Sequence, residues 1–181
     1  IMLSLGQQMM DEFAYSTGLS SSIRPLRYLW TDAFALCNFL ELYRLTEDEK
    51  YKQLALRLIS QAHHVLGWHR EDDPRKGWIS GLDEHEGEKH PTKGGLRIGK
   101  RLPERKSDEP FDELLEWERD GQYYHYLTKW MHALGKASRV IGDRSYILWA
   151  IELAKTAHAA FVYTLPNGQK SMYWKVSIDL A

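Results

Sequence analysis

Two stretches of this chain, about 95 residues apart, carry the same pattern. A shift of 95 lays Asp48 on Asp143, Tyr51 on Tyr146, Ala55 on Ala150, Leu58 on Leu153, Ala62 on Ala157 and His63 on His158. In each copy a mostly apolar helix is followed, across a short polar break, by an amphipathic one. The first helix, predicted over about 29–45, carries Ala33, Phe34, Leu36, Cys37, Phe39, Leu40, Leu42, Tyr43 and Leu45, which leaves almost no polar face. Such a helix is buried on most sides. Its successor starts at a capping box, Thr46 with Glu49, and repeats Tyr51, Leu54, Ala55, Leu58, Ile59, Ala62 and Leu66 in steps of three and four until Gly67. The second copy has an inner helix over about 122–140, with Tyr123, Leu127, Trp130, Met131, Leu134 and Ala137 on its core stripe. Gly142 and the N-capping Asp143 lead to an outer helix from Tyr146 to Phe161. A repeated helical hairpin cannot bury its apolar face alone, so the copies must stack.

The remaining segments are read from composition and period. Residues 1–26 give a short helix and then a polar loop. Residues 67–120 form a connection too long for a plain loop in a compact domain, and Trp68, Trp78, Ile79, Leu82, Leu96 and Ile98 within it call for burial. After Pro166-Asn167-Gly168 the tail alternates between apolar and polar residues, which predicts a strand over about 170–180. No partner strand is visible, and the alternation runs to the last residue. With Ile rather than Met at position 1, the expectation is a piece of a longer chain. The single Cys37 fits a reducing compartment, no apolar run approaches the roughly 20 residues of a membrane span, and the first residues lack the basic and apolar regions of a signal peptide. A cytoplasmic location is expected. The net charge of −1 gives no electrostatic reason for nucleic acid or an anionic membrane as partner.

The stretch Trp117-Glu118-Arg119-Asp120-Gly121-Gln122-Tyr123-Tyr124-His125-Tyr126 packs two carboxylates, a guanidinium, an imidazole and four aromatic rings into the start of a helix. Charged groups beside flat rings suit a polyhydroxylated ligand, through hydrogen bonds at its edges and stacking on its C–H faces. The alternative is a packed helix start with solvated charges.

The layout Leu42-Tyr43-Arg44-Leu45-Thr46-Glu47-Asp48-Glu49-Lys50-Tyr51, followed by an Ala/Leu-rich outer helix, resembles the hairpin turns of the six-hairpin glycosidase-like superfamily, and Gly142-Asp143-Arg144-Ser145-Tyr146 resembles them again. The likeness covers about 27–66 and 120–163. It implies an all-α fold of antiparallel hairpins in two layers, part of an (α/α)6 toroid, with a long ordered loop and a short C-terminal strand. The whole chain is then one incomplete domain, with hairpins at about 28–66 and 121–163, a cleft loop at 67–120 and a tail at 170–180. Two hairpins where the superfamily has six imply exposed apolar surface, covered by the missing part of the chain or by a homo-oligomer partner.

In such toroids the cleft lies where inner helices start, so the resemblance brings Asp32 and the Glu118–His125 run to one rim. It implies a sugar or uronic-acid-like ligand and no cofactor or metal. Asp32, Glu118, Asp120 and His125 are the acid, base or proton-transfer candidates, with helix capping the competing role for Asp32 and Asp120. Trp30, Trp78, Tyr123 and Tyr124 are the stacking candidates, and Arg97, Lys100 and Arg119 the polar ones. Glycoside hydrolase-like chemistry leads, sugar epimerase chemistry is second, and a helical-repeat interaction module without catalysis is the alternative from another class. Two other patterns are set aside. His63 and His64 are adjacent and so point about 100° apart on a helix, unlike a zinc-protease pair. Gly94–Lys100 matches part of a phosphate loop, but Arg101 replaces the magnesium-binding hydroxyl residue and no buried strand precedes it.

Overall fold

The two apolar stretches become long helices lying side by side. The computed structural model describes residues 2–181. Its helices are α1 (Met2–Ser16), α2 (Leu29–Thr46), α3 (Glu49–Leu66), α4 (Glu84–Lys89), α5 (Glu113–Glu118), α6 (Tyr124–Ile141) and α7 (Ser145–Phe161). Four short strands complete it: β1 (Gln122–Tyr123), β2 (Val162–Thr164), β3 (Lys170–Met172) and β4 (Lys175–Val176). The fold is thus mostly helical, consistent with the all-α expectation, with four short strands where a single C-terminal one was expected. Helices α2 and α3 pack as one hairpin and α6 and α7 as the other, and α2 against α6 joins them.

The inner helices run parallel. At their starts the Tyr28 and Tyr126 hydroxyls share a hydrogen bond of 2.6 Å, and towards their ends Lys136 donates to Glu41 at 3.1 Å. These pairs are 98 and 95 positions apart in the chain, close to the repeat shift itself. Equivalent positions of the two copies therefore stand next to each other. Leu36, Leu40, Leu58, Leu66, Leu134, Leu153 and Trp130 form one buried core between the two layers. Helix α1 lies against α2, adding Met10 and Ala14 to that core and leaving Leu3, Leu5 and Met9 exposed. No helix among the described residues is long and apolar enough to cross a membrane.

Several local expectations change. The cap of α3 is Asp48, whose carboxylate accepts from Lys50 N at 2.9 Å; Thr46 instead turns back and donates to Leu42 O. Glu47 takes a left-handed conformation (φ 55°) to end α2, which leaves Asp48 as the first residue placed to cap. At the second break Asp143 accepts from Ser145 N at 2.8 Å, one residue ahead of the N-cap position at Arg144. The tail is not one unpaired strand. Pro166–Gly168 turns β3 back on β2, with Tyr163 opposite Ser171, and after a break at Tyr173–Trp174 β4 pairs with β1, with Tyr123 opposite Lys175. Period two showed the extended backbone but not its partners, one of which lies about 50 residues earlier in the chain.

His63 is a core residue, 2% exposed. Its Nε2 accepts the indole N–H of Trp130 at 3.1 Å, so the ring proton sits on Nδ1, and the Trp149 ring stands edge-on at 5.3 Å. Burial pushes its pKa down to about 3, so between 6.5 and about 3 the folded state binds fewer protons than the unfolded one. That stability is present above the unfolded value and is lost as pH falls. His63→Gln keeps an acceptor for Trp130 but does not titrate. Urea unfolding at neutral pH and at about pH 4 is expected to show a larger acid-induced loss in the wild type than in the variant. Equal losses would contradict it.

Candidate functional site

The long connection folds over the starts of the two inner helices. Arg97 N donates to Leu66 O at 2.8 Å, Ile98 N to Gly121 O at 2.8 Å, and Leu29 N to Ile98 O at 3.0 Å. One short segment thus ties the end of α3 to the entries of α2 and α6. Two buried polar residues hold it there. Asp120, 1% exposed, accepts from Arg97 at 2.6 Å, Arg70 at 3.1 Å, Gly99 N at 3.0 Å, Lys100 N at 3.3 Å and its neighbour Gly121 N at 3.1 Å. Gln122, fully buried, accepts from Leu96 N and donates to Gly94 O and Ile178 O, so it binds the loop to the tail. Gly95 is required here: a Cβ would fall 1.9 Å from Gln122 Oε1, and its φ of +79° suits glycine. This packing explains the paired glycines that resemble a phosphate loop.

Above this floor runs a row of aromatic rings. Trp117 and Trp174 have centroids 4.8 Å apart, Trp174 stacks on Tyr123 at 5.4 Å and 7°, and Tyr123 stacks on His125 at 5.6 Å and 18°. His125 meets Trp30 at 5.7 Å, and Trp30 meets Phe34 at 5.2 Å. Tyr126 wedges beneath, 5.0 Å from Trp30 and 5.1 Å from Tyr123. Trp117, Trp174, His125 and Phe34 are exposed, Trp30 half-buried and Tyr123 buried between its neighbours. The β1–β4 pairing delivers Trp174, whose carbonyl accepts from Tyr124 N at 3.0 Å. Beside the row a cavity of about 460 Å³ is lined by Phe111, Glu116, Trp117, Tyr123, Trp174 and Lys175. A second of about 420 Å³ shares Glu116 and Lys175 and adds Glu104 and Tyr173. Lys175 Nζ donates to Glu116 O at 2.8 Å and Arg119 O at 3.1 Å and lies 5.6 Å from the centre of the Tyr123 ring.

The titratable groups here are shifted mainly by burial. Burial raises Glu104 and lowers Lys175, the latter against the pull of Glu116 and Asp120. His125 is lowered by burial and by Lys129, which favours neutral imidazole. Asp32 is pushed up to about 7 by loss of solvent, against the attraction of Arg27 at 3.6 Å. Tyr28 is raised by burial and by its bond to Tyr126.

Of the residues singled out in sequence, Trp30, Tyr123 and His125 come together. Glu118 is exposed at the end of α5, near enough to act electrostatically on Tyr28 and Tyr123. Lys100 lies over the Tyr28 ring at 5.6 Å. The others turn inward. Asp32 is 1% exposed, accepting from Tyr28 N at 3.2 Å across the first turn of α2. Asp120 borders the second cavity, but its carboxylate is fully covered. Arg97 spends its guanidinium on Asp120, Trp68 O and Val65 O; Arg119 pairs with Glu109 at 3.0 Å. Trp78, expected as a loop platform, is 3% exposed, stacked edge-on against Trp68 and seated on Gly87. Tyr124 points to the core against Phe161 at 5.5 Å. Trp174, Lys175, Glu116 and Tyr126 were not among the expected site residues. The Trp174 signal was an aromatic in a strand-like tail, and nothing local says which strand that tail meets. Among the described residues no group of three or more His, Cys, Asp or Glu side chains is placed to hold a metal ion.

Comparison of the chain with protein-family models, with curated proteins and with solved structures finds no match. The site is therefore read from its own chemistry.

Removing the Asp120 charge leaves Arg97 and Arg70 without their buried partner. Asp120→Asn is expected to cost about 3–5 kcal/mol in urea unfolding, while Glu118→Gln at the surface stays within about 0.5 kcal/mol. Comparable losses in the two variants would remove the architectural role given to Asp120.

Proposed function

We propose that this chain binds carbohydrate along the aromatic row, in a cleft at the starts of the inner helices of an (α/α)6 toroid-like array. The observation carrying this reading is that Trp30 from the first hairpin and His125 from the second meet at 5.7 Å, within a continuous row of rings that is largely open to solvent. A solvent-facing row of that size is costly unless something covers it. Pyranose C–H faces suit stacking on rings, and Glu116, Glu118 and Lys175 supply hydrogen-bonding groups at its edge. The parallel inner helices and the match between their contacts and the repeat shift support the array, since each added hairpin then places its inner-helix start on the same rim.

Within this class the leading reading is glycoside hydrolase-like, with Glu118 as the exposed carboxylate and His125 as proton carrier beside the stacked sugar. An epimerase-like reading stands second: His125 lies in the row, stacked on Tyr123 at 5.6 Å, and imidazole is a base suited to taking a proton from carbon.

Thermal unfolding in the presence of a panel of neutral and acidic oligosaccharides tests the proposal. At least one is expected to raise the midpoint. Trp174→Ala, which also uncovers Tyr123 and so lowers the unliganded midpoint, is expected to weaken that sugar about three- to tenfold when the shift is measured against the variant's own unliganded midpoint. No shift with any sugar would end the carbohydrate reading. Analysis of the product's anomeric and C2 configuration separates the two chemistries.

A further inference from the structure

Lys175 borders both cavities, and its amine is held differently from the other lysines bound to acceptors. Strand β4 sets it opposite Tyr123 of β1, and its side chain, 18% exposed, passes over Gly121, where a Cβ would fall 3.0 Å from Lys175 Cε. Its Nζ donates to two neutral acceptors, Glu116 O at 2.8 Å and Arg119 O at 3.1 Å, while the Glu116 carboxylate stands off at 3.8 Å. A neutral amine supplies two N–H donors as well as an ammonium does, so these bonds survive loss of a proton and leave the third tetrahedral position to a lone pair. Lys50, Lys52, Lys89 and Lys136 instead meet a carboxylate at 2.8–3.1 Å, which favours the ammonium. Lys76 also donates to two carbonyls, Glu71 O and Asp73 O, but is exposed. Burial lowers the Lys175 ammonium against the pull of Glu116, Asp120 and Glu104, with Lys100 adding to the lowering, whereas bonds to Asp11 and Glu49 raise Lys50 and Lys52.

The two cavities differ in what they place beside this amine. The one of about 420 Å³ contains Glu104, half-buried, with one carboxyl oxygen accepting from Ile178 N; burial raises this carboxyl and so favours its protonated form. The one of about 460 Å³ is lined by the rings of Phe111, Trp117, Tyr123 and Trp174. We propose that Lys175 captures a carbonyl compound as an imine: an aldehyde or ketone borne on a flat ring that lies among Trp117, Tyr123 and Trp174. The capture needs only the amine and its cavities, so it does not rest on the carbohydrate reading. The Nζ lone pair adds to the carbonyl carbon as the C=O π pair moves to oxygen, and that oxygen takes a proton from the nitrogen to give a carbinolamine. The Glu104 carboxyl protonates the hydroxyl, which leaves as water while the nitrogen lone pair forms the C=N bond. The iminium proton then returns to Glu104. Amine and carbonyl have become imine and water, with nothing oxidised or reduced.

Reductive trapping with benzaldehyde and cyanoborohydride at pH 7, read by peptide mass spectrometry, compares every lysine within one molecule of the full chain. Lys175 is expected to be labelled about tenfold faster than Lys76 or the exposed Lys170, the ratio for one pKa unit between two mostly protonated amines. Its rate should also level off at a lower pH than theirs. Propanal, which has no ring, is expected to lose about threefold of that preference. Glu104→Gln, which keeps an acceptor for Ile178 N, should slow Lys175 alone by about tenfold, with Lys76 and Lys170 as internal controls. Labelling of Lys175 no faster than Lys76 would overturn the capture site and leave the lysine as a tie between α5 and β4. Equal preference with propanal would overturn the ring-borne ligand, and an unchanged rate in Glu104→Gln would remove Glu104 from the chemistry.

Discussion

A carboxylate without access to water stays in a fold only if donors surround it, and Asp120 is placed under that condition. Two guanidiniums and three backbone N–H groups converge on it, from positions between Arg70 and Gly121. Desolvating one carboxylate and two guanidiniums is expensive, and the attraction between them recovers that cost only when the geometry is complete. The consequence is specificity of placement. The loop that contains Arg97, Gly99 and Lys100 has one position over the helix starts, and the chain enters α6 from there. Tyr123 and His125 follow within five residues, so the aromatic row inherits its position from a charge that never meets solvent.

The second constraint is the parallel pairing of α2 and α6. An antiparallel pair would put Trp30 and His125 at opposite ends of the bundle. Parallel packing with contacts at the repeat offset brings the same point of each hairpin to the same level. Residues at inner-helix starts then form a shared edge, and those further along meet at matching levels. The Trp30–His125 and Glu41–Lys136 contacts mark the two ends of this pairing. Chemistry concentrates at the first end because the long connection and the tail both cross it, adding Trp117, Glu116, Trp174 and Lys175 from segments that belong to neither hairpin.

What could be read in the sequence follows from how local each signal is. The four long helices were legible to within a few residues, since their periodicity and breaks are written in contiguous positions. The expectation that Asp32 and the Glu118–His125 run share one rim came from the family resemblance and not from any local pattern; at that level Trp30 meets His125, while Asp32 turns inward. Asp120, Arg97 and Arg119 were recognised as unusual, but sequence did not say which way they faced. A charged residue in a polar loop looks the same whether it awaits a ligand or a buried partner, and here the partners lie 23 and 50 residues away for Asp120. Trp78 was misjudged for a related reason: glycines around a tryptophan suggest an open loop, whereas Gly87 serves to admit its ring. The tail's pairing with β1 had no local trace at all.

The repeat also explains a difference between two histidines that overlay each other. His63 on α3 is buried, whereas His158 on α7 is exposed. The rings that cover His63 are Trp130 and Trp149, and both come from the following hairpin. The same holds two turns earlier: Leu56 on α3 is partly buried against the core, while its equivalent on α7, Ile151, is 44% exposed, with Leu148 beside it at 53%. The overlaid positions carry the same or similar residues, so the difference in burial at them lies in what stands next to them. The α7 face is built to the same plan as a face that, on α3, buries a neutral histidine and an aliphatic side chain under a neighbouring hairpin. Burial at these positions is therefore set by the neighbouring hairpin more than by the residue: the histidine at this point of the repeat is part of the core on α3, where Trp130 and Trp149 pack on it, and exposed on α7.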